Sequence, residues 1–248
     1  MTRNITCHRP QKYGWIEVKL EKEDMDHLWD CVNNADCGDF KHTLVGQVEK
    51  SREIKDIDDK FFNDVLSDLI KTYGTEFDHD WYGNPVNLQE LNVKPCLQSM
   101  WVNYQNAGEY NPMHDHGGLY SFAIWMKNPE EYSVQTLKKN SRGASSSFNN
   151  AFAFQYTNLF GKIETTMYPM GKRAEGTMVF FPAKLQHGVY PFYDSDEQRI
   201  SISGNIILEP AQFVNVLQES SNPDESLQEA IRSNADKALL MKLNQNDT

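Results

Sequence analysis

Between residues 97 and 208 the sequence is divided into short segments of alternating apolar and polar residues, separated by Gly, Pro and Asn. This alternation is typical of half-buried β-strands, because successive side chains of a strand point to opposite faces of a sheet. Many short strands with turn residues between them predict two packed sheets, a barrel or jelly roll, with flanking helices. The predicted strands are 97–104, 120–126, two strands within 152–168 around Gly161, 177–181 and 199–208.

Two flanking regions, 1–96 and 209–248, lie outside this predicted core of residues 97–208. Apolar residues at helical spacing predict an N-terminal region with helices that pack on the barrel and a helical C-terminal tail. The individual predictions are a strand within 13–20, a helix over 22–34, a longer helix over 52–73 that ends at Gly74, and a helix that starts near residue 223.

The composition bounds the partners that this chain can have. The net charge is −11, and tracking along a nucleic-acid backbone needs a cationic surface, so a nucleic-acid partner is not expected. A membrane-spanning helix needs about 20 consecutive apolar residues, and the sequence has no such run. The N-terminus lacks the apolar core of a signal peptide. We therefore expect a cytoplasmic location, and the sequence leaves the oligomeric state open.

Three histidines are the side chains best suited to hold a metal ion. His114 and His116 are two positions apart, and in an extended backbone such side chains point the same way, while Asp115 points away. His187 follows an apolar strand that Pro182 ends, so it can face the pair from an opposed strand. An iron ion that activates oxygen needs its protein ligands on one face and open positions on the other. We therefore predict that these histidines are the metal ligands and the catalytic residues.

Arg199 begins the last predicted strand. Alternation puts Arg199, Ser201 and Ser203 on one face and Ile200 and Ile202 on the other. A guanidinium inside a barrel is costly unless an anionic group pairs with it. Its planar fork grips a carboxylate with two parallel hydrogen bonds, and a serine hydroxyl can add a third donor. We predict that Arg199 and Ser201 bind a carboxylate, and the alternative is an exposed Arg199.

These residues form a set of motifs within roughly residues 97–208: His114-x-His116, Ser121–Met126, Gly176–Ala183 with His187, and Arg199-x-Ser201 followed by Asn205. The set resembles the 2-oxoglutarate- and Fe(II)-dependent oxygenases, and within them the prolyl-hydroxylase-like group of marine bacteria and tailed phages. The resemblance implies a double-stranded β-helix and one Fe(II). It also implies that Arg199 and Ser201 hold the far carboxylate of 2-oxoglutarate. With O2, such enzymes convert this cosubstrate to succinate and CO2 and hydroxylate a C–H bond.

The sequence departs from the common motif of that family, which is His-x-Asp or His-x-Glu followed by a distant His. Here His116 takes the carboxylate position, and Asp115 comes one place early. The ligands are then three histidines, or Asp115 turns in through a bend at Gly117-Gly118 and displaces an imidazole, or the native ion is not iron. We favour the three histidines, with Asp115 accepting a hydrogen bond from an imidazole or contacting the substrate.

Two further features near the predicted site have a functional interpretation. Tyr104 lies on a strand that leads toward the histidine pair, and in similar enzymes such a strand lines the cosubstrate pocket, so Tyr104 is a predicted donor to 2-oxoglutarate. Asn103 lies on the opposite face of that strand. The small, polar segment 138–150 is either a lid over the site or a surface loop.

The sequence therefore predicts a 2-oxoglutarate-dependent dioxygenase that hydroxylates an unidentified protein or small-molecule substrate. One alternative is a cupin-like dioxygenase with three histidine ligands that binds its organic substrate directly at the metal, without 2-oxoglutarate. Another is a non-catalytic jelly-roll protein with a structural or binding role. If a phage encodes the chain, the expected location is the host cytoplasm.

Overall fold

In the computed structural model of this protein, the described residues are 13–35, 40–77, 80–81, 84–85 and 94–208. The strands are β1 (Ile16–Lys19), β2 (Lys50–Ile54), β3 (Asp80–Trp81), β4 (Asn84–Pro85), β5 (Pro95–Gln105), β6 (Asn111–His114), β7 (Tyr120–Lys127), β8 (Ala151–Thr157), β9 (Ile163–Pro169), β10 (Thr177–Pro182), β11 (Gln186–Val189) and β12 (Arg199–Leu208). The helices are α1 (Lys22–Asn33), α2 (Ser67–Phe77) and α3 (Tyr132–Gln135). Shorter helical turns are Lys41–Thr43, Ile57–Asp59, the π-helical Phe62–Leu66 and Lys172–Ala174.

Nearly all of these elements belong to one compact unit formed by residues 1–86 and 96–207. A second unit, 87–95 and 208–248, lies almost wholly outside the described residues. The predicted C-terminal helix falls there as well. The division of the chain at residues 96 and 208 therefore stays a prediction. None of the helices in the described part of the chain is long and apolar enough to cross a membrane.

Two antiparallel sheets carry the fold. One has the strand order β1-β10-β7-β12-β5-β2, and the other has the order β6-β11-β8-β9. From β5 to β12 the chain passes repeatedly from the larger sheet to the smaller one and back. This winding is a double-stranded β-helix, and it confirms the predicted fold class.

Aromatic and aliphatic side chains fill the space between the sheets. The larger sheet contributes Trp125 and Phe181, and the smaller sheet contributes Phe152 and Phe154. Each of these four side chains is at most 3% exposed. Burial of this apolar surface is the main driving force that holds the sheets together.

The other face of the larger sheet is covered by the helical region that precedes β5. The ring of Tyr73 lies 5.1 Å from that of Tyr120, and the ring of Phe61 lies 6.0 Å from that of Phe122. Because both faces of β7 are covered, seven of its eight residues are buried. The strand is therefore fixed in the middle of the molecule, where it supports the neighbouring β12 and β10.

The predicted helix over 52–73 is wrong at both of its ends. Residues 52–54 belong to strand β2, which pairs with β5 and buries Ser51 and Ile54 against the sheet. Strand pairing therefore overrides the helical spacing of the apolar residues. At the other end, α2 runs through Gly74 to Phe77, because an isolated exposed glycine lowers helix stability without ending a helix.

The segment 138–150 is a series of turns held by hydrogen bonds within the segment and to α3. Ser141 Oγ donates to Gln135 O at 3.0 Å, and Tyr132 OH donates to Ser147 O at 2.9 Å. The segment ends at Asn150, which is fully buried and has a positive φ of 56°. These contacts attach the segment to the barrel, and its assignment as a lid stays a prediction.

Two glycine substitutions test the packing described here. A Cβ at Gly204 would lie 2.5 Å from Phe122 Cζ and 2.8 Å from Ser99 O, whereas a Cβ at Gly74 meets nothing within 4 Å. Overpacking costs about 1–3 kcal/mol, so Gly204→Ala should lower the free energy of unfolding by this amount. Gly74→Ala should raise it by about 0.5–1 kcal/mol. Urea denaturation of both variants measures this, and equal effects would contradict the described packing.

Candidate metal centre

Strand pairing brings the first and the last of the three histidines together. His114 is the last residue of β6, and His187 lies within β11. The two residues are direct partners in the antiparallel register, and their ring centroids are 4.3 Å apart. The sequence predicted that His187 lies where a strand gives way to a loop, and the structure places it inside a strand that pairs on both sides.

The third histidine joins this pair from the loop that follows β6. The backbone N–H of His116 donates to Ala183 O at 2.9 Å, which fixes the loop against the chain just beyond β10. His116 Nε2 then lies 3.1 Å from His187 Nε2. One candidate ligand atom from each of the three histidines lies within 4.8 Å of the others. The structure therefore brings all three predicted ligands together.

Backbone carbonyls set the protonation of two of these rings. His114 Nδ1 lies 2.7 Å from Pro112 O, and His187 Nδ1 lies 2.9 Å from Leu185 O. A carbonyl oxygen only accepts, so each Nδ1 carries the hydrogen and each Nε2 keeps a free lone pair. This is the tautomer that binds a metal ion through Nε2 while a hydrogen bond from the other nitrogen orients the ring.

The spacing of the ring nitrogens suits a single ion. Two nitrogen ligands at about 2.1 Å from a metal and at right angles to each other are about 3 Å apart, close to the 3.1 Å between His116 Nε2 and His187 Nε2. In the absence of a cation, the two nitrogens avoid lone-pair repulsion only if one of them carries a proton. The donor set and its geometry therefore fit one divalent metal ion.

Apolar rings around the histidines keep them uncharged. Phe181 lies 4.7 Å from the ring of His187, and Trp101 lies 5.8 Å from that of His116. Burial, aided by the positive charge that neighbouring imidazoles would carry, lowers the pKa of His116 to about 4 and that of His187 well below its usual value. Burial also lowers the pKa of His114. Imidazole must be neutral to bind metal, so the site is ready for an ion at neutral pH.

Asp115 points away from the three rings. Its Oδ1 accepts from Lys184 Nζ at 3.2 Å, and its Oδ2 accepts from Gln186 Nε2 at 2.8 Å. The acceptors that orient His114 and His187 are backbone carbonyls instead, so the predicted hydrogen bond to Asp115 is wrong for these two imidazoles. Among the described residues, the three histidines are the ligand set that the geometry favours at this place.

Arg199 is buried inside the protein, with 1% of its surface exposed. Its Nε donates to Gln105 Oε1 at 3.1 Å, Nη1 to Asn150 Oδ1 at 3.0 Å and Nη2 to Tyr190 O at 2.9 Å. All three partners are uncharged, and no carboxylate pairs with Arg199 in the described part of the chain. Burial accordingly lowers its pKa to about 9. A buried cation without an anion favours the binding of an anionic ligand.

A narrow cavity lies next to Gln105, and Arg199 itself is not among the residues that line it. Ser201 and Gln105 line it, together with Asn103, Asn111 and residues of the segment 41–51. Gln105 therefore contacts both Arg199 and the cavity. The buried Oδ1 of Asn111 has no hydrogen-bond partner among the described residues. Buried polar atoms are normally paired, so this oxygen is an available acceptor beside the cavity.

Tyr104 does not line this cavity. It pairs with Lys50 in the neighbouring strand β2, and Lys50 Nζ lies 4.3 Å from the centre of its ring. Asn103, whose Oδ1 accepts from Ser51 Oγ at 2.6 Å, faces the cavity. Because neighbouring residues of a strand point to opposite faces, Asn103 and not Tyr104 faces this cavity. The role of Tyr104 as a cosubstrate ligand stays a prediction.

Gln105 and Asn150 are the residues that the sequence analysis missed. Gln105 is two positions beyond Asn103, so strand alternation alone would have placed it on the same face. Asn150 has the left-handed backbone that asparagine adopts more readily than most residues, and its Nδ2 donates to Glu130 O at 2.9 Å and to Met170 O. Its contact with Arg199 depends on the loop conformation, for which the sequence has no signal.

Part of the chain that contains this site matches a known protein family. Residues 99–205 match the family described as "Putative 2OG-Fe(II) oxygenase". The matched segment covers less than half of the 248-residue chain and contains the three histidines, Arg199 and Ser201. The chain has no match among curated proteins.

Several solved structures resemble this one at low sequence identity. A prolyl-4-hydroxylase of Pseudomonas putida is 11% identical with a TM-score of 0.44, covering 77% of this chain and 91% of its own. The collagen prolyl hydroxylase of Paramecium bursaria Chlorella virus-1, in a 2OG complex, is 14% identical with a TM-score of 0.43. The match covers 79% of this chain and 96% of the hydroxylase. A prolyl hydroxylase of Trichoplax adhaerens, with a peptide fragment of hypoxia inducible factor, is 10% identical with a TM-score of 0.48, covering 82% and 87%. At these scores the similarities do not bear on the substrate.

The choice between His116 and Asp115 as a ligand can be tested by metal binding. His116→Ala removes a converging nitrogen and should lower the affinity for Mn²⁺ at least about tenfold. Asp115→Asn keeps the geometry and should change the affinity by less than about threefold, because its carboxylate points toward Lys184 and Gln186. Calorimetric titration of the metal-free proteins measures both affinities. A large loss in Asp115→Asn with little change in His116→Ala would reverse the assignment.

The lowered imidazole pKa values predict how stability depends on pH. An imidazole in the unfolded chain takes up a proton near pH 6.5, whereas burial lowers the pKa of folded His116 to about 4. The unfolded state binds more protons in this window, so the free energy of unfolding of the metal-free protein should fall as the pH drops from about 6.5 to 4. His116→Gln should make this decrease shallower in urea denaturation at a series of pH values. Parallel curves for the two proteins would show that His116 is not held neutral.

Proposed function

We propose that this protein is a 2-oxoglutarate-dependent Fe(II) dioxygenase that hydroxylates an unidentified protein or small-molecule substrate. The observation that carries the proposal is the convergence of three neutral imidazoles in the same barrel as a buried guanidinium that has no acidic partner among the described residues. The match of residues 99–205 to an oxygenase family supports it independently.

His114, His116 and His187 would hold the iron through their Nε2 atoms. Fe(II) supplies the means to activate O2 and to oxidise a C–H bond. Three neutral imidazoles leave both positive charges of the ion uncompensated, so they favour an anionic cosubstrate beside it. The carbonyls of Pro112 and Leu185 keep two of the rings in the metal-binding tautomer.

Arg199 and Ser201 would bind the far carboxylate of 2-oxoglutarate. Four of the five N–H groups of Arg199 have an acceptor in the structure, one of them the weak acceptor Met170 Sδ at 3.8 Å. A carboxylate can take the remaining N–H group and replace the neutral Gln105 amide as the acceptor from Nε. A charge-assisted hydrogen bond of this type is stronger than the neutral one that it replaces.

The cavity beside Ser201 has to widen to admit this cosubstrate. It holds about 20 Å³, which is room for roughly one water molecule. Lys41, Leu44 and Val48 form one of its walls and also line a larger open groove at the surface. We therefore propose that 2-oxoglutarate enters from this groove as the segment 41–48 moves outward.

The aromatic side chains around the histidines keep the reaction away from water. Phe152, Phe154 and Phe181 all contact the His187 side of the site, with ring centroids 4.7 to 6.4 Å from that imidazole. A site without bulk water strengthens the attraction between the ion, the guanidinium and an anionic cosubstrate. It also protects reactive species from side reactions.

The neutral protein partners that Arg199 already has favour one alternative. A cupin-like dioxygenase would use the same three histidines but bind its organic substrate directly at the metal, without 2-oxoglutarate. Arg199 would then anchor the structure through Gln105, Asn150 and Tyr190, or hold a carboxylate of the substrate. The cytoplasmic location and the phage or marine bacterial origin stay predictions from the sequence.

Turnover of the cosubstrate tests the proposed function. Protein prepared without oxygen, loaded with Fe(II) and then given O2 and 2-oxoglutarate should form succinate slowly even without its substrate. Arg199→Lys keeps the charge but loses the planar fork, and the loss of one charge-assisted hydrogen bond costs about 1.5–3 kcal/mol. The KM for 2-oxoglutarate should therefore rise at least about tenfold. Ser201→Ala removes one neutral hydroxyl donor that lines the cavity, so it should raise the KM for 2-oxoglutarate less.

His187→Ala is the control that removes the metal site, and it should reduce succinate formation to the background of free iron. Circular dichroism of each variant shows whether it is folded. Succinate formation that is equal in the wild type, Arg199→Lys and His187→Ala would contradict the proposal. Oxygen consumption without succinate, dependent on His187, would favour the cupin-like alternative.

A further inference from the structure

A second group of metal-binding side chains lies between the N-terminal helix and the turn that follows β2. His27 and Cys31 are four residues apart in α1, so they lie on the same face of the helix. Asp56 directly precedes the helical turn Ile57–Asp59. His27 Nε2 is 2.8 Å from Asp56 Oδ1 and 3.5 Å from Cys31 Sγ. One ligand atom of each residue lies within 4.8 Å of the others.

Backbone groups hold the carboxylate and the thiol of this group in place, and the thiol has a hydrogen bond with the backbone of Ile57. Asp56 already accepts from the backbone N–H groups of Phe61 and Phe62 at 3.0 and 2.7 Å. The thiol and the carboxylate both approach the same nitrogen of His27, and that nitrogen carries at most one hydrogen. A nucleophilic triad would need the carboxylate on one ring nitrogen and the thiol on the other, so the arrangement does not suit catalysis by Cys31.

We propose that His27, Cys31 and Asp56 form a second divalent-metal site, distinct from the three histidines, for which Zn²⁺ is the best-suited ion. One thiolate and one carboxylate balance the charge of the ion, and a thiolate–imidazole–carboxylate set matches the ligand preference of zinc. Binding replaces the proton of the Cys31 thiol, which is released to the solvent. The fourth ligand is water or hydroxide.

The distances are close to those of a tetrahedral zinc site. With Zn–N and Zn–O of about 2.1 Å and Zn–S of about 2.3 Å, tetrahedral angles give about 3.6 Å between S and N and about 3.4 Å between N and O. The observed S to N separation of 3.5 Å fits without change. The observed N to O separation of 2.8 Å must open by about 0.6 Å, which a side-chain rotation of His27 or Asp56 supplies.

The burial of these side chains indicates what the ion does. Cys31 is 1% exposed, and the side chains of His27 and Asp56 are 12% and 2% exposed. So little exposure leaves no room for a substrate. The ion would instead link α1 to the turn that precedes the helical region Phe62–Phe77. It would thereby stabilise the helices that cover one face of the larger sheet. Such an ion stabilises the folded state by its binding free energy.

Cobalt titration of the full chain tests this site, because the three-histidine centre contains no sulfur. Co²⁺ bound to a thiolate gives a charge-transfer band in the near ultraviolet, and it should grow to one equivalent per chain. Cys31→Ser should abolish the band, and Cys96→Ser, which changes the other cysteine in the described part of the chain, should leave it unchanged. Zn²⁺ added afterwards should remove the band by displacing Co²⁺.

Asp56→Asn removes the anionic ligand and keeps one of the two hydrogen bonds from the backbone N–H groups of Phe61 and Phe62, because an amide has a single acceptor oxygen. It should weaken Co²⁺ binding at the sulfur-containing site at least about tenfold, while Mn²⁺ binding at the three histidines stays the same. Zn²⁺ should raise the melting temperature of the wild type more than that of Cys31→Ser. A wild-type protein without the thiolate band, or a band of equal size in Cys31→Ser, would overturn the proposal.

Discussion

The candidate site depends on keeping three imidazoles uncharged and close together inside apolar protein. Strand pairing supplies the closeness, because β6 and β11 place His114 directly opposite His187. Backbone carbonyls supply the orientation, since they accept from Nδ1 and leave Nε2 free. Burial supplies the neutrality, and it is the main reason why the pKa of each ring is low. Such a group of lone pairs favours the binding of a metal cation.

The buried Arg199 complements this centre. Its charge has no acidic partner among the described residues, and neutral groups such as Gln105 and Asn150 accept from it. An ion on three neutral ligands and a guanidinium without a counter-charge together favour a ligand with negative charge at both ends. A dicarboxylate such as the proposed 2-oxoglutarate has this distribution of charge.

Much of the barrel could be predicted from the sequence, because alternation along a strand is a local signal. The errors occurred where distant contacts decide the structure. Residues 52–54 form a strand because β5 is available to pair with them, and the short β6 and β11 have too few residues to show alternation. Helix α2 continues beyond Gly74 because a single exposed glycine lowers the stability of a helix without ending it.

In the site, too, local sequence signals predict some features, and contacts between distant residues decide the others. Spacing and residue type predict the three histidines. Alternation places Asn103 and Tyr104 on opposite faces of β5, but it does not decide which face meets the cavity. The orientation of Asp115 depends on Lys184 and Gln186, about seventy residues away. The same holds for His27, Cys31 and Asp56, which the fold assembles from two separate segments.

X-ray absorption at the iron edge is the most direct test of the proposed centre. The protein would be loaded with one equivalent of Fe(II) in the absence of oxygen. The scattering should show three imidazole ligands in the wild type and two in His116→Ala. Two imidazoles and a carboxylate in the wild type, or an unchanged number of imidazoles in His116→Ala, would contradict the three-histidine centre.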